Sequence, residues 1–380
     1  MSANTEVVYV LPVLQPAGAE RIVVELARRL PAHGFRTSVV CLEDERAAAG
    51  AELAAAGIPV QGLRLSRRRT LACAKGLSKL FPCSRPLIVH AHLYHANLAA
   101  RLAYTRLEKA ARQGLHILST AHVAERRFRP WQFVLDRVTA RYACAEVCVS
   151  HAVARFQQER TGLRSEFFRV IENGVDLSRF APGTAKGGLT GVDARASGGA
   201  PLVVSIGRLD PQKDFPTLLR AWQTVNARLP AARLTIAGAG PEAAGLRALC
   251  ARLGLQNVEF LGFVTDVPAL LRKSSLYVQP SAWEGFGLAV AEAMACGLPV
   301  IVSDADSLPE LVAHERTGLV FPKGHEAELA EAMLKLLQSP ACAAELGAAA
   351  RAEALSRFSV ERMAAEYARL YREVLSSCAS

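Results

Sequence analysis

A glycine-rich turn with a carboxylate on each side is the strongest chemical signal in the sequence. It lies in SAWEGFGLAVAEAMACGLPVIV, residues 281–302, where Gly285 and Gly287 place Glu284 in a loop and a helix is expected to begin near Leu288. Backbone N–H groups and the positive end of the helix dipole at such a turn bind anions or sugar hydroxyls. We expect the donors to be the amides of Gly285, Phe286, Gly287 and Leu288.

The two carboxylates of this run, Glu284 and Glu292, do not form a close pair. They are eight residues apart, which corresponds to ~12 Å along a helix. Glu292, one turn into the helix, is placed to accept hydrogen bonds from two adjacent hydroxyls, such as those of a ribose, and Glu284 is placed to face a sugar. The alternative is an ordinary strand–helix loop with an incidental glutamate.

Two cations follow an earlier predicted strand in GRLDPQKDF, residues 207–215. Arg208 and Lys213 are five residues apart across a proline-containing turn, which allows both side chains to point into one cleft. There they would bind a diphosphate, the arginine as a planar fork and the lysine as a point charge. The alternative is that they form local ion pairs with Asp210 and Asp214.

The first half of the chain offers weaker candidates. Gly18 stands where a helix begins after a strand, again a position suited to phosphate oxygens. A neutral imidazole of His122, at the end of STAH, is suited to a sugar hydroxyl. We expect His90 and His92 to face opposite sides of their strand, so a zinc pair is not expected. The alternative for each histidine is a packing role.

The run IAGAGPEA, residues 236–243, partly matches the dinucleotide-binding fingerprint. Glu242 beside Gly240 would repel phosphate. The ribose-binding acid expected ~20 residues further on would be Glu259, inside a predicted strand. A dinucleotide-dependent oxidoreductase is therefore not predicted.

Strand and helix patterns alternate along the chain, with five apolar runs in the first half and six in the second. This predicts an α/β protein with two doubly wound domains, in which sites lie at the carboxyl ends of the strands. We place an N-terminal domain at 1–180, a Gly- and Ala-rich linker at 181–200, a second domain at 201–358 and a C-terminal helix at 359–380.

The net charge of +10 is carried entirely by the first domain. Residues 1–180 hold 26 Lys and Arg against 15 Asp and Glu, whereas the remainder holds 19 against 20. A basic surface favours an anionic partner, which would be a phosphorylated acceptor, an acidic membrane or a nucleic acid, and the alternative is a solvated arginine-rich face. In RRFRPW, residues 126–131, Phe128 and Trp131 among arginines suggest a bilayer contact.

Several classes are disfavoured. No helix-turn-helix or aromatic RNA-binding signature accompanies the charge, so a nucleic-acid partner is not predicted. No apolar run approaches the ~18 residues that span a bilayer, and the start lacks a basic signal region. The nine cysteines are scattered without zinc spacing. We expect a cytoplasmic protein.

Together these motifs resemble the retaining glycosyltransferases of family four, which have the GT-B fold of two Rossmann-like domains facing a central cleft. The resemblance covers nearly the whole chain, and order and spacing match as well as content. The motifs, in chain order, are GAER, HAH, STAH, VSHAV, VIENGVDLSRF, GRLDPQKDF, IAGAGPE, FLGFVTDV and EGFGLAVAEAMACGLPVI. The sequence departs from the family in its linker, which has no clear helix.

The resemblance implies roles in the second domain. Arg208 and Lys213 would bind the donor diphosphate, Glu292 the nucleotide ribose and Glu284 the donor sugar. The amides of Gly285 to Leu288 would also face the sugar.

The resemblance implies further contacts as well. Val264 would line the base, Gly18 would touch the diphosphate from the first domain, and His122 would contact the sugar. Family members usually work without a bound metal or a cofactor, and their last helix packs back on the first domain.

We therefore expect a metal-independent enzyme that moves a hexose-type sugar from a nucleotide-diphosphate donor to an acceptor hydroxyl with retention. The acceptor would be a glycan or a lipid-linked intermediate of cell-surface polysaccharide, lipopolysaccharide or glycolipid synthesis, reached at the inner face of the cytoplasmic membrane. The catalytic candidates are Glu284, His122, Arg208 and Lys213. A nucleotide-sugar epimerase of the same fold and a non-catalytic binding module are the alternatives.

Overall fold

The chain forms two compact units. A computed structural model describes residues 5–15, 17–44, 48–81, 86–183 and 200–377. One unit consists of Met1–Gly174 with Val360–Ser380, and the other of Val175–Ser359. Residues 175–180 group with the second unit, whereas the sequence placed them in the first. Most of the predicted linker lies outside the described residues.

Within the described residues, the first unit contains one parallel sheet. Its strands are Thr5–Leu11 (β1), Phe35–Cys41 (β2), Val60–Gly62 (β3), Leu87–His92 (β4), Leu115–Ala121 (β5), Ala145–Cys148 (β6) and Phe168–Val170 (β7). They lie in the order β3-β2-β1-β4-β5-β6-β7. The short strands β3 and β7 add to the five that were predicted, and the strand order reverses between β1 and β4, as in a doubly wound fold.

Helices connect these strands. They are Gly18–Arg29 (α1), Ala48–Ala55 (α2), Thr70–Ser78 (α3), Tyr94–Thr105 (α4), Lys109–Arg112 (α5), Pro130–Ala140 (α6) and His151–Thr161 (α7). The central strands β4 and β5 are buried along their whole lengths. Burial on both faces explains why neither strand contains Lys, Arg, Asp or Glu.

The second unit repeats the design. Its strands are Leu202–Ile206 (β8), Arg233–Ala237 (β9), Val258–Gly262 (β10), Leu276–Gln279 (β11), Val300–Ser303 (β12) and Leu319–Phe321 (β13). Their order is β10-β9-β8-β11-β12-β13, so that β8 and β11 meet where the strand order reverses. The prediction of two Rossmann-like α/β domains is confirmed.

The helices of this unit flank its sheet. They are Phe215–Arg228 (α8), Ala243–Arg252 (α9), Val267–Lys273 (α10), Leu288–Ala295 (α11), Leu308–Leu311 (α12), Glu326–Gln338 (α13) and Pro340–Arg357 (α14). Trp222 and Phe215 on α8 are fully buried in the apolar core beside the strands. The core thus fixes the sheet whose carboxyl edge carries most of the predicted site.

The last helix, Val360–Ser377 (α15), belongs to the first unit. It begins directly after Ser359, and Arg362 donates a 2.8 Å hydrogen bond to the carbonyl oxygen of Glu172. Its apolar face is buried and consists of Val360, Met363, Ala364, Tyr367, Ala368, Leu370, Tyr371 and Val374. These residues recur with the 3.6-residue period of an amphipathic helix.

Candidate functional site

The loop after β8 brings Lys213 across the backbone of Gly207. A Cβ atom on Gly207 would lie 3.1 Å from Lys213 Cε, so the absence of a side chain there makes room for the lysine. Asp210 caps the short 3-10 turn Pro211–Lys213 by accepting a hydrogen bond from the Gln212 amide at 3.0 Å. These local contacts hold the lysine stem against the carboxyl edge of the sheet.

Lys213 pairs with Glu284, which comes from the loop after β11. Lys213 Nζ lies 2.6 Å from Glu284 Oε2, and the two side chains are only 16% and 10% exposed. The structure thus brings two of the predicted site residues together although 71 positions separate them. A partly buried ion pair of this kind is maintained only where further hydrogen bonds support it.

That support comes from a row of buried polar side chains. Ser281 Oγ donates to Glu284 Oε2 at 3.0 Å, and Gln279 Nε2 donates to Ser281 Oγ at 2.9 Å. The Tyr277 hydroxyl in turn donates to Gln279 Oε1 at 2.6 Å. The row runs from the centre of β11 to the ion pair and orients the Glu284 carboxylate.

The glycine turn has the predicted form. Helix α11 begins at Leu288, and Gly287 precedes it with φ +97, in the left-handed region that favours glycine. A Cβ there would also lie 2.8 Å from Leu308 Cδ2. The helix ends at Ala295, and the first turn of α11 presents its amides and positive dipole end at the carboxyl edge of the sheet.

The turn is anchored on both sides. The Glu284 amide donates to Asp306 Oδ2 at 3.2 Å, and Phe286 is buried with its ring edge-on to Phe358 at 5.7 Å between centroids. Asp306 itself has φ +44. Such strained backbone persists where the surrounding contacts impose it, and it is commonest near functional sites.

Glu292 is half-buried one turn into α11. Burial chiefly, and then the neighbouring charges of Glu292 and Glu284, raise the pKa of Tyr277 well above its ordinary value. Both carboxylates are therefore close enough to the Tyr277 hydroxyl to affect its ionisation.

Arg208 is placed differently from Lys213. Its side chain is 69% exposed, and its Nε lies 3.3 Å from Asp210 Oδ2. The local ion pair that the sequence left open as an alternative is therefore present for Arg208. Lys213 is bound to Glu284 rather than to Asp214, which accepts a 2.7 Å hydrogen bond from Thr217.

Val264 lies in the loop between β10 and α10 and is half-buried, and the adjacent Phe263 is 58% exposed. An exposed aromatic ring beside the carboxyl edge is suited to stacking on a planar base. The role of Val264 remains a prediction.

The glycines of IAGAGPEA have a packing function. A Cβ on Gly238 would lie 1.8 Å from the carbonyl oxygen of Gly207, and one on Gly240 would lie 2.2 Å from that of Leu209. The Leu209 amide donates to the carbonyl of Ala239 at 3.0 Å. The glycines thus let the loops after β8 and β9 run against each other, which explains the partial resemblance to a dinucleotide fingerprint.

In the first unit, the buried His90 and His92 of β4 and the half-buried His122 after β5 form one group. The rings of His90 and His92 lie 4.4 Å apart between centroids, so our expectation that they face opposite sides was wrong. Residues two apart on a strand share a face. His92 Nδ1 lies 2.8 Å from Nε2 of His122.

Burial makes these imidazoles weak bases. It lowers the pKa of His122 to about 4 and that of His90 to about 3, and it lowers the pKa of His92 well below its ordinary value. His90 is held between the Tyr371 hydroxyl at 2.6 Å and Thr120 Oγ1 at 2.7 Å. The group is therefore neutral at pH 7 and acts through hydrogen bonds rather than charge.

Gly18 is the first residue of α1 and is exposed after β1. Glu20 in the same turn is buried, and burial raises its pKa to about 7. A protonatable acid so close to the helix start makes this turn less suited to phosphate than the turn before α11. The proposed contact of Gly18 with a diphosphate remains a prediction.

Sequence reasoning missed Gln279, Ser281 and Asp306. Gln279 is the last residue of β11, and the other two lie in the loops after β11 and β12. The signal available for Gln279 and Ser281 was a series of polar residues at and after the end of an apolar strand, in VQPSAWEG. That pattern alone does not separate a supporting hydrogen bond from a solvated loop.

Across the described ranges, no group of three or more His, Cys, Asp or Glu side chains is arranged to hold a metal ion. That the reaction needs neither a metal nor a cofactor remains a prediction. No helix in the described part of the chain has both the length and the apolar character to cross a bilayer.

Comparison with known families agrees with this architecture. A model described as Glycosyltransferase Family 4 matches residues 16–179, and one described as Glycosyl transferases group 1 matches residues 193–353. The two matches together span most of the sequence. The chain belongs to the family four, group 1 glycosyltransferases, whose fold is GT-B.

Two curated relatives extend the comparison. The chain is 28% identical over 320 residues to alpha-maltose-1-phosphate synthase of Mycolicibacterium smegmatis, covering 76% of this chain and 79% of that protein. It is 33% identical over 206 residues to the GDP-mannose-dependent monoacylated alpha-(1-6)-phosphatidylinositol monomannoside mannosyltransferase of Corynebacterium glutamicum. The second match covers 52% of this chain and 54% of that protein.

The crystal structure of Anabaena HepE in complex with UDP-glucose has the same fold. It aligns with a TM-score of 0.82 at 23% identity and covers 98% of this chain and 99% of that one. At this identity the likeness establishes the fold, and the chemistry has to be argued from the side chains.

Proposed function

We propose that the protein is a retaining hexosyltransferase that uses a nucleotide-diphosphate sugar and no metal. The observation that carries this proposal is the Lys213–Glu284 pair, 2.6 Å apart beside the glycine turn of α11. It sets a cation, a carboxylate and a helix N-terminus together at the carboxyl edge of a doubly wound sheet. The cation and the helix N-terminus are suited to a diphosphate, and the carboxylate is suited to sugar hydroxyls.

The diphosphate would bind at Lys213 and the first turn of α11. The lysine ammonium neutralises charge that grows as the glycosidic bond breaks, and the helix dipole adds to this effect. Arg208 is exposed and loosely tied to Asp210, so its guanidinium is available to turn onto the same phosphates. The leaving diphosphate would take the proton of the acceptor hydroxyl on the face that it leaves, which gives retention.

The two carboxylates would position the donor. Glu284, oriented by Ser281, accepts hydrogen bonds from the sugar hydroxyls, and Glu292 accepts them from the ribose. Val264 and the exposed Phe263 would contact the base. UDP- and GDP-sugars are the first donors to test, because HepE was crystallised with UDP-glucose and the Corynebacterium relative is named as GDP-mannose-dependent.

The first unit would serve the sugar and the acceptor. The neutral His122 can share a hydrogen bond with a sugar hydroxyl without adding charge, and its partner His92 fixes the orientation of the ring. The basic first half is suited to a phosphorylated or lipid-linked acceptor in glycolipid, cell-surface polysaccharide or lipopolysaccharide synthesis, at the inner face of the cytoplasmic membrane. Gly18 would approach the diphosphate.

A thermal-shift screen over nucleotide-diphosphate sugars tests donor binding. A donor at a hundred times its dissociation constant adds ~2.7 kcal/mol to the free energy of unfolding. The donor that stabilises the protein is then incubated with the enzyme, with and without glycan and lipid-linked acceptors, and followed by proton NMR. A new glycoside with the donor's anomeric configuration supports the proposal.

Other products would identify the alternatives. Conversion of the donor to its epimer without any acceptor would make the protein an epimerase of the same fold. Stabilisation by a donor that stays unchanged in every mixture would favour a binding module. A product of inverted configuration would overturn the proposed stereochemistry.

A further inference from the structure

Helix α6 carries an apolar face that the rest of the described chain leaves uncovered. Of the eight large apolar side chains that are exposed among the described residues, half lie on this one helix of 11 residues. They are Trp131 at 56% exposure, Val134 at 58%, Leu135 at 39% and Val138 at 52%. Isolated exposed apolar residues are ordinary, but a contiguous face of them marks an interaction surface.

The four side chains share one side of the helix. Their spacing of i, i+3, i+4 and i+7 keeps them within an arc of ~100°. The opposite side is packed, with Phe133, Asp136 and Ala140 buried. In most surface helices the main apolar face packs on the core, whereas in α6 four large apolar side chains face away from it.

The buried side fixes the orientation of the helix. Asp136 forms an ion pair with Arg101, which is fully buried and also binds Glu146 at 2.8 Å and Ser119 at 3.0 Å. Breaking such a buried pair costs several kcal/mol, so α6 cannot roll its apolar face inward. The exposed face is a stable feature of the first unit.

Charge around this face is positive. Arg137 lies along one border of the face, Arg141 directly follows the last residue of the helix, and Arg126, Arg127 and Arg129 precede the first turn. The one acid of the helix, Asp136, is buried against Arg101. An apolar strip with tryptophan, bordered by arginine and without exposed acid, is complementary to the surface of an anionic bilayer.

We propose that this α6 face docks the protein on an anionic lipid bilayer. The apolar side chains would enter the boundary between headgroups and acyl chains, and the arginines would contact lipid phosphates. Phe128, which the sequence suggested as a membrane contact, does not belong to the face. It is half-buried and packs against Tyr94 at 4.7 Å between ring centroids.

Docking has a consequence for the proposed function. The loop that begins at His122 leads into α6 at Pro130, eight residues later. Seating α6 on a bilayer therefore brings that loop close to membrane-borne acceptors. This consequence rests on the proposed transferase activity, but docking itself does not, because lipid binding is measured without turnover.

Flotation of the full chain with lipid vesicles tests the proposal. The vesicles are pure phosphatidylcholine in one arm and three parts phosphatidylcholine to one part phosphatidylglycerol in the other. The expected result is at least ~10-fold more bound protein on the anionic vesicles, declining with added salt. Equal recovery on both, or no recovery on either, would overturn the proposal.

Variants locate the surface. Val134→Ser with Val138→Ser is expected to reduce binding to anionic vesicles ~10-fold, and Arg137→Gln with Arg141→Gln to reduce it comparably. The matched control is Leu355→Ser, an exposed apolar residue of the second unit at 48% exposure, which should bind as the unchanged protein does. Each variant is checked for an unchanged unfolding midpoint.

The competing occupant is a second copy of this chain. Size-exclusion chromatography with light scattering on the same variants decides it. A dimer that Val134→Ser with Val138→Ser converts to a monomer, together with unchanged vesicle binding, would assign the face to self-association and overturn the membrane proposal.

Discussion

The carboxyl edges of the two sheets carry different kinds of polar group. The edge of the second sheet carries an ion pair, Lys213 with Glu284, supported by a row of buried polar groups from β11. The edge of the first sheet carries imidazoles, His90, His92 and His122, whose pKa values burial lowers. One edge is built to hold charge and the other to hold hydrogen bonds.

This difference suggests a division of labour. In the proposed function, a diphosphate needs fixed positive charge at the place where negative charge develops, which the second unit would supply. A sugar hydroxyl needs a neutral donor or acceptor in a fixed orientation, which the first unit would supply. The proposed membrane contact would use a different part of the first unit, around α6.

The largest effect is expected from Lys213→Ala. In the proposed site, loss of the ammonium removes the charge opposite the leaving group and leaves Glu284 without its cationic partner. Turnover should fall ~100-fold or more, which is the scale of a lost transition-state donor. The turnover of Glu284→Ala should fall by a comparable factor. The measurement is kcat in a product-release assay with the donor found by thermal shift.

A matched control comes from the same unit. Lys335 and Glu315 form an exposed pair at 2.7 Å, with side chains 51% and 60% exposed. Lys335→Ala should keep turnover within about twofold because surface pairs contribute little. Near-normal turnover of Lys213→Ala would show that the charge at the edge of the second sheet is not needed for the reaction.

The next effect is on folding and concerns the loops after β8 and β9. Gly240→Ala would place a Cβ 2.2 Å from the carbonyl oxygen of Leu209 and should lower the free energy of unfolding by about 2–3 kcal/mol. Gly245→Ala is the control, since nothing lies within 4 Å of its Cβ. In helix α9 it should stabilise by ~0.5–1 kcal/mol. Urea titration measures both, and equal stabilities would contradict the close approach.

Sequence alone predicted the form of the second edge but not its pairing. Gly285 and Gly287 dictate a turn, and the helix start at Leu288 follows from local propensity. The contact between Lys213 and Glu284 joins residues 71 apart, and only the strand order β8-β11 brings their loops together. Periodicity does not encode that order, so Arg208 and Lys213 appeared equivalent although only Lys213 forms the contact with Glu284.

The neutral edge predicts a dependence of stability on pH. Because burial lowers the pKa of His90 to about 3, the unfolded chain binds more protons below pH 6.5. The contribution of this histidine is complete above pH 6.5 and is lost as the pH falls towards 3. By pH 5 the loss amounts to about 2 kcal/mol.

Comparison with His90→Gln isolates this contribution. Glu20 and Glu146, whose pKa values burial raises to about 7, act in the opposite direction and are present in both proteins. The unchanged protein should lose more free energy of unfolding than the variant between pH 7 and 5. Parallel profiles in urea titrations would show that His90 is protonated in the folded state.

The smallest effect concerns the support of Glu284. Ser281→Ala removes a 3.0 Å hydrogen bond to Oε2 and should cost about 1 kcal/mol, or ~5-fold in kcat/KM. Ser356→Ala is the control because its hydroxyl bonds only an exposed helical carbonyl, and it should be neutral. A Ser281→Ala enzyme with unchanged kcat/KM would mean that Lys213 alone orients the carboxylate.

The exposed face of α6 also shows where sequence reasoning stops. The spacing of Trp131, Val134, Leu135 and Val138 predicts an amphipathic helix, but it does not say which side is packed. Arg101, 35 residues before Asp136, decides this by drawing the acid inward. The sequence did not predict the contact between His92 and His122 for a related reason, since the two residues meet only because β4 pairs with β5.

Equilibrium binding of the donor tests the central claim most directly. UDP-glucose and GDP-mannose are titrated by calorimetry into the unchanged protein, Lys213→Ala and Lys335→Ala. At least one donor should bind the unchanged protein and Lys335→Ala equally, and should bind Lys213→Ala ~10- to 100-fold more weakly through the lost charge-assisted bond. Equal affinity for Lys213→Ala would contradict a diphosphate site at this edge of the second sheet.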